Sequence, residues 1–237
     1  DKEVIRNIFD NVLQSYDAYR NLEYLCEYAP GRLLGSEESL IALDYMKSYF
    51  DEMGADTAFL QAYTTPAWRC NSTDVVMISS EGEMRLRADA LGPSPSTEPG
   101  GLQAGVLEVQ GLDELQDMDP TLVRDKIVFF NRPVDITHIN TFRIYGSAVD
   151  QRTQGPALAA ELGASGVLVR SVGTRIDTFP HTGSTRFRGT KIPCAAISTI
   201  DAFTRLLLKP FARDLELDHD LEMTTEETTY LDRAVAA

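Results

Sequence analysis

The 237-residue sequence predicts a mixed α+β protein. A helical N-terminal segment with short strands comes first, and a domain of β-strands with flanking helices follows. Three observations predict this class. Apolar residues recur at three- and four-residue spacing up to about residue 55, and the period then changes to two. After a Pro-, Gly- and Ser-rich stretch at 91–101, strand-like and helix-like segments alternate.

The first 55 residues predict three helices. Ser15 is expected to cap the second helix, which ends at Pro30, and Ser36 is expected to cap the third, which Gly54 terminates. The first helix has one apolar stripe, which consists of Val4, Ile5, Ile8, Phe9, Val12, Leu13 and Tyr16. Such a stripe is typical of an amphipathic helix with one face packed against another element.

Two-residue periodicity predicts strands at 57–64 and 74–80, and a third strand at 84–87 that pairs with the second across the Glu81-Gly82 turn. Further along, the strands are expected at 105–109, 126–130, 166–170, 192–197 and 214–223. The helices between them are expected at 112–116, 156–162 and 199–208. Long loops are expected before the helix at 156–162 and before the strand at 192–197.

Residues 91–101 cannot continue a helix or a strand and so mark the best domain boundary. We therefore divide the chain into an N-terminal segment, 1–89, a second domain, 90–223, and an acidic tail, 224–237.

The formal net charge is −14, from 36 acidic and 22 basic residues. Clustered lysine and arginine are needed to bind nucleic acid or an anionic membrane, so this charge argues against both partners. The acidity lies at the two ends, and 170–213 is basic. The longest apolar runs are far shorter than the roughly 20 residues that span a bilayer, which predicts no membrane span. Because no signal-peptide pattern precedes Asp1, we expect a mature or a trimmed chain.

Sequence motifs of catalysis are not found. The sequence contains no GxSxG, GxxxxGK[ST] or HExxH pattern, and none of its three histidines has an aspartate two residues on. Cys26, Cys70 and Cys194 lie far apart, and we expect three separate buried thiols. The residues alone thus predict no catalytic and no metal-ligating side chain in this chain.

A resemblance to a known family extends over about residues 20–223. The segment GRLLGS at 31–36, followed by an amphipathic helix, resembles the opening of zinc-dependent exopeptidases related to carboxypeptidase Q. The segment KIVFFNRP at 126–133 resembles the protease-associated (PA) domain inserted in those enzymes. Further segments follow in the family's order: RTQG at 152–155, VLVRSV at 167–172, PHTG at 180–183 and KIPCAAIS at 191–198.

The resemblance implies the non-catalytic front part of a secreted or periplasmic zinc metallo-exopeptidase that hydrolyses peptides or dipeptides. Residues 1–89 would pack on the peptidase domain of the same protein, and the PA domain, 90–223, would assist substrate access or homodimer contact. In the family the zinc ligands and catalytic glutamate follow the PA insertion, so they map onto no residue here. Zinc is therefore expected in the full-length parent and not in this chain, whether the chain is a natural or an engineered truncation.

Two other functions remain open at this point. The chain can be a stand-alone PA-type module that binds a peptide or a protein. Alternatively, its helical start is an oligomerisation surface, because exposed apolar faces tend to self-associate.

Five loop residues are candidates for contact with a substrate or partner: Arg170, Ser171, His181, Thr182 and Gly183. Strand ends present polar groups, and an arginine there can bind a peptide carboxylate through two hydrogen bonds while His181 donates another. The alternative is structural, with Arg170 bonded to loop carbonyls and 181–183 forming a turn. The segment 152–155 is expected to serve the unpaired N–H groups of the helix that follows.

Overall fold

A computed structural model describes residues 1–80, 82–174 and 179–198. The chain divides into two compact units, Asp1–Cys70 and Asn71–Ala237, which we call unit 1 and unit 2. Helices at the N-terminus and a sheet in unit 2 confirm the predicted mixed class. The predicted helix at 199–208, the strand at 214–223 and the acidic tail lie outside the described residues. The division at 89 and 223 into a helical segment, a PA domain and a tail stays a prediction.

Unit 1 contains the three predicted helices: α1 (Lys2–Gln14), α2 (Asp17–Tyr28) and α3 (Glu37–Glu52). The Ser36 side chain accepts a hydrogen bond from the Ser39 backbone N–H at 3.1 Å, so Ser36 caps α3 as predicted. The N-cap residue of α2 is Tyr16 and not Ser15, and its side chain makes no capping hydrogen bond.

The predicted strand at 57–64 is wrong, because this segment has no regular secondary structure. A strand needs a neighbouring strand to which it can hydrogen-bond, and residues 1–70 contain no strand.

The helices of unit 1 bury little apolar surface. Tyr24 stacks on Tyr45 at 3.8 Å between ring centroids, and the Tyr45 hydroxyl donates to Asn21 Oδ1 at 2.6 Å. The apolar stripe of α1 is exposed, with Phe9 at 63%. Within residues 1–70, all of them described, Ala29 alone is fully buried.

Unit 2 begins with an antiparallel hairpin of β1 (Val75–Ser79) and β2 (Gly82–Leu86), which confirms the predicted pairing. Within the part of the chain that the structure describes, a five-stranded sheet follows with the order β3-β7-β6-β5-β4. Its strands are β3 (Ala88–Ala90), β4 (Val106–Val109), β5 (Ile127–Phe130), β6 (Gly166–Arg170) and β7 (Cys194–Ile197). The last four are parallel, and β3 lies antiparallel to β7 at the edge. The three-residue β3 was not predicted, because it is too short to show a period.

Among the described residues, five short helices accompany the sheet: α4 (Leu112–Gln116), α5 (Pro120–Val123), α6 (Thr141–Gly146), α7 (Val149–Thr153) and α8 (Gly155–Glu161). The segment before α8, predicted as a long loop, contains α6 and α7. The Asn140 side chain caps α6 by accepting hydrogen bonds from the backbone N–H groups of Phe142 and Arg143. Helices of five or six residues span too few turns for an apolar period to be visible in the sequence.

The core of unit 2 lies where the parallel strands meet these helices. Its fully buried members include Leu91, Leu115, Val128, Phe130 and Val169. Gly155 allows α8 to lie close against β5, because a Cβ at position 155 would come within 2.7 Å of the Phe130 ring. Among the described residues, the helices are all too short or too polar to cross a membrane.

The cysteines differ from one another. Cys194 on β7 is buried, but Cys26 and Cys70 are exposed, so the prediction of three buried thiols is wrong for these two. Cys26 lies on α2, a helix with no buried residue.

Candidate functional site

Polar side chains gather where the parallel strands end. β5 leads into Asn131 and Arg132, while β6 ends at Arg170 and leads into Ser171. Since β5 and β6 are parallel neighbours, their carboxyl ends lie at the same edge of the sheet. We call this the carboxyl edge, and it is the part of an α/β sheet that most often holds a ligand.

Four of the five predicted loop residues lie together at this edge. The backbone N–H of His181 donates to Ser171 Oγ at 2.8 Å, which ties the segment 181–183 to the end of β6. The carbonyl of Thr182 accepts a hydrogen bond from Arg152 Nη1 at 2.8 Å. Gly183 approaches the same guanidinium so closely that a Cβ there would lie 2.7 Å from Arg152 Cζ.

The fifth predicted residue, Arg170, faces the neighbouring strand. Its Nη1 donates to Asn131 Oδ1 at 3.1 Å, and Asn131 Nδ2 in turn donates to Glu108 Oε1 at 2.7 Å. The Asn131 amide thus lies between the Arg170 guanidinium and the Glu108 carboxylate. Burial lowers the pKa of Arg170 from its ordinary value, although an arginine stays charged at any physiological pH.

Arg152, on α7, is the central side chain that the sequence prediction missed. It is only 7% exposed, and its guanidinium makes three polar contacts. Nη1 lies 2.8 Å from the Thr182 carbonyl and 3.1 Å from His181 Nδ1, and Nη2 donates to the Tyr145 hydroxyl at 2.6 Å. Its Nε has no hydrogen-bond partner among the described residues. The expectation that 152–155 serves the start of the next helix is wrong for Arg152, and Gln154 makes no capping bond with its side chain.

A buried glutamine fixes α7 against the loop after β5. Gln151 is completely buried, and its Oε1 accepts from the Arg132 N–H while its Nε2 donates to the Arg132 carbonyl, both at 2.9 Å. Arg132 also forms an ion pair with Asp150, next to Gln151. These bonds fix the position from which Arg152 extends.

The charges at the carboxyl edge are unevenly compensated. Arg132 pairs with Asp150, but among the described residues neither Arg152 nor Arg170 has a carboxylate within 4.0 Å. A guanidinium removed from water and bonded only to neutral acceptors is well suited to bind an anion, above all a carboxylate.

His181 lies beside Arg152 at the carboxyl edge. Its ring stands edge-on to Tyr145 at 5.6 Å between centroids. The pKa of His181 is lowered, first by burial and then by the positive charge of Arg152. Both effects favour the neutral imidazole.

The described residues contain no group of three or more His, Cys, Asp or Glu side chains that could hold a metal ion. Residues 1–80, 82–174 and 179–198 therefore do not fit a zinc site.

The fold is similar to that of a peptidase. A crystal structure of a peptidase M28 precursor from Shewanella amazonensis SB2B matches with a TM-score of 0.79 and 30% identity, over 90% of this chain and 47% of that one. In sequence, the chain is 34% identical to carboxypeptidase Q of Homo sapiens over 190 residues, which cover 78% of this chain and 38% of the human protein. The resemblance predicted from the sequence motifs is confirmed.

A weaker likeness is to a zinc aminopeptidase from Bacillus subtilis, with 18% identity and a TM-score of 0.44 over 81% of this chain and 40% of that one. No protein-family model matches the chain. The chain spans less than half the length of the relatives that it matches.

Proposed function

We propose that this chain is the non-catalytic N-terminal and PA-type part of a zinc metallo-exopeptidase, which in full-length form hydrolyses peptides or dipeptides in a secreted or periplasmic setting. The observation that carries the proposal is the uneven coverage in the match to human carboxypeptidase Q. The similarity covers 78% of this chain but 38% of the relative. The chain thus corresponds to one part of a longer peptidase, and zinc would be held by the remaining part.

Unit 2 is proposed to assist substrate access, with its carboxyl edge as the contact surface. The support is the charge: Arg152 and Arg170 each meet only neutral acceptors among the described residues. The terminal carboxylate of a peptide would supply the missing negative charge, bound by Arg170 with Ser171, His181, Thr182 and Gly183 beside it. Homodimer contact through unit 2 is the other role that the resemblance implies.

The test of the non-catalytic assignment begins with the chain alone. We expect neither retention of stoichiometric zinc after dialysis nor hydrolysis of a dipeptide panel with zinc added. Hydrolysis should appear only when the remaining part of the parent is joined to this chain. Turnover by this chain alone with zinc would contradict the proposal.

The test of the carboxyl edge compares a peptide that has a free C-terminal carboxylate with the same peptide amidated, by calorimetric titration of the chain. We expect the free acid to bind more tightly and Arg170→Ala to remove most of the difference. Loss of a charged hydrogen bond corresponds to about 1.5–3 kcal/mol, or roughly 10- to 150-fold in Kd. The exposed Arg188→Ala is the matched control.

Equal affinity for the acid and the amide would contradict a carboxylate site. Tight binding of a peptide by the isolated chain, with no effect on hydrolysis when Arg170 and His181 are both changed to Ala in the joined protein, would favour the alternative of a stand-alone binding module.

A further inference from the structure

The contact between Arg152 and His181 determines which ring nitrogen of the histidine holds a proton. Arg152 Nη1 lies 3.1 Å from His181 Nδ1. A guanidinium has five N–H donors and no acceptor, and it is not deprotonated in proteins. A hydrogen bond between the two atoms therefore requires Nδ1 to be the acceptor, so the ring proton is on Nε2.

We infer that Arg152 is a positioning residue that holds His181 in the Nε2–H tautomer, so that the ring donates a hydrogen bond from Nε2 to an acceptor of the ligand at the carboxyl edge. This inference rests on the proposed function, because it assigns the contact that a peptide carboxylate makes there. Nε2–H of an imidazole is a suitable donor to such a carboxylate.

Three further contacts hold the guanidinium in place. The Tyr145 hydroxyl accepts from Nη2 at 2.6 Å, and the Thr182 carbonyl accepts from Nη1 at 2.8 Å. Tyr145 also lies beneath the cation, with Arg152 Cζ 5.7 Å from its ring centroid. Arg152 is only 7% exposed, so its guanidinium has little freedom to leave Nδ1.

The backbone of His181 is held from the other side. Its N–H donates to Ser171 Oγ at 2.8 Å, so the end of β6 fixes the main chain while Arg152 fixes the ring. The residue as a whole is exposed, although Arg152 and Tyr145 lie against its ring and shield part of it from water. The position of Gly183 supports the same arrangement, since any Cβ there would collide with the guanidinium.

Among residues 1–80, 82–174 and 179–198, the charged and titratable groups that face His181 are Arg152 on α7 and Tyr145 on α6, with the neutral Ser171 after β6. A proton on Nδ1 would displace its hydrogen bond and place a second positive charge beside the guanidinium. The lowered pKa of His181 agrees with this, because burial and Arg152, which both disfavour the charged ring, outweigh a backbone hydrogen bond of His181 that favours it. The donor at Nε2 is thus present at neutral pH without a change of charge.

The experiment is a two-bond ¹H–¹⁵N correlation spectrum of the histidine rings in the full chain, with His181 assigned through His181→Gln. In the wild type we expect an unprotonated Nδ1 and a protonated Nε2, and a ring pKa below the ordinary value of 6.5. Arg152→Met should produce a mixture of tautomers, raise this pKa toward the ordinary value and weaken binding of the free-acid peptide by about tenfold, the loss of one charged hydrogen bond.

Arg188→Met is the control for loss of an exposed positive charge and should change none of these quantities. If Arg152→Met does not fold, Tyr145→Phe provides the second variant, because it removes one acceptor from Arg152 and keeps the aromatic ring that lies edge-on to His181. We then expect a partial shift of the ring in the same direction. A wild-type His181 that is protonated at Nδ1 would overturn the inference in every case.

Failure of this inference and failure of the proposed function give different results. If the wild type binds the free-acid peptide but Arg152→Met leaves tautomer, pKa and affinity unchanged, the positioning role is wrong and the carboxylate site stands. If the tautomer shifts as expected but no peptide binds, the ligand contact is wrong and the proposed role of this edge fails with it.

Discussion

The two units differ in where their apolar side chains lie. In unit 1, α1, α2 and α3 contain no buried residue, although the apolar stripe of α1 is clear in the sequence. In unit 2, by contrast, a single strand, β5, contributes three fully buried residues: Val128, Phe129 and Phe130. An apolar period therefore predicts the type of an element, whereas burial depends on what packs against it.

Thiol reactivity should show the largest difference between the units. Cys194 in unit 2 is buried, and burial raises the pKa of its thiol from 9.0 to about 12, a thousandfold lower thiolate fraction at a given pH below both values. We expect Cys26 and Cys70 to react with iodoacetamide at pH 8, and Cys194 to react more slowly by well over about tenfold, because it is buried and mostly protonated. Mass spectrometry of timed digests measures this, with urea-unfolded chain as the control. Equal rates in the native chain would break the contrast.

Truncation of aromatic side chains should sharpen the contrast in stability. Phe130→Ala removes a completely buried ring and should lower the free energy of unfolding of unit 2 by about 3–5 kcal/mol. Phe9→Ala, at 63% exposure, should change the stability of the chain by no more than about 0.5 kcal/mol. Urea unfolding followed by circular dichroism distinguishes the two. A large effect of Phe9→Ala would show that its face is covered in solution.

Two helical glycines of unit 2 test how tightly its core is packed. Gly155→Ala should lower the free energy of unfolding by about 1–2 kcal/mol, because the new Cβ would lie 2.7 Å from the Phe130 ring and overpacking outweighs helix propensity. Gly146→Ala is the matched control, since a Cβ there meets nothing within 4 Å. It should be neutral or stabilise by up to about 1 kcal/mol. Thermal unfolding of both variants measures these changes in stability. A Gly155→Ala variant as stable as the wild type would contradict close packing of α8 against β5.

The smallest effect is expected at the start of α3 in unit 1. Ser36→Ala removes the side-chain acceptor for the Ser39 N–H and should destabilise the helix by about 1 kcal/mol. Ser48→Ala is the control, since Ser48 lies within the same helix and its hydroxyl donates to the Asp44 carbonyl. Amide hydrogen exchange in the first turn of α3 measures the effect. We expect it to become faster in the Ser36 variant and to stay unchanged in the Ser48 variant. Unchanged exchange would show that capping contributes nothing there.

Local chemistry explains which elements could be predicted from the sequence. Ser36 before two glutamates indicates a helix start, and the hairpin of β1 and β2 follows from its two-residue period on either side of a short turn. The strand expected at 57–64 was wrong because a period does not supply a pairing partner. α6 and α7 were missed because helices of six and five residues are too short to show an apolar stripe. The Asn140 side chain caps α6, but Ala148 before α7 makes no side-chain capping bond.

The candidate site was predicted only in part, because some of its residues lie far apart in the sequence. Ser171 and His181 follow the same strand and are ten residues apart, so strand-end reasoning brought them together. Arg152 lies 30 residues from Thr182, on a separate helix, and no pattern around it indicates where its guanidinium is directed. Only the sheet, which places α7 and the loop after β6 at one edge, brings Arg152 and His181 into contact.

The edge strand β3 has a consequence for how the sheet is assembled. Its residue Ala90 pairs with Ala195 of β7, and the intervening chain contains β4, β5 and β6. During synthesis β3 emerges long before its partner, so β3 must stay unpaired until the rest of the sheet has formed. Pairing over such a sequence separation is slow, and an unpaired strand is a point of attachment for other chains. We therefore expect β3 to be most open to pairing with another chain in the interval between its own synthesis and that of β7.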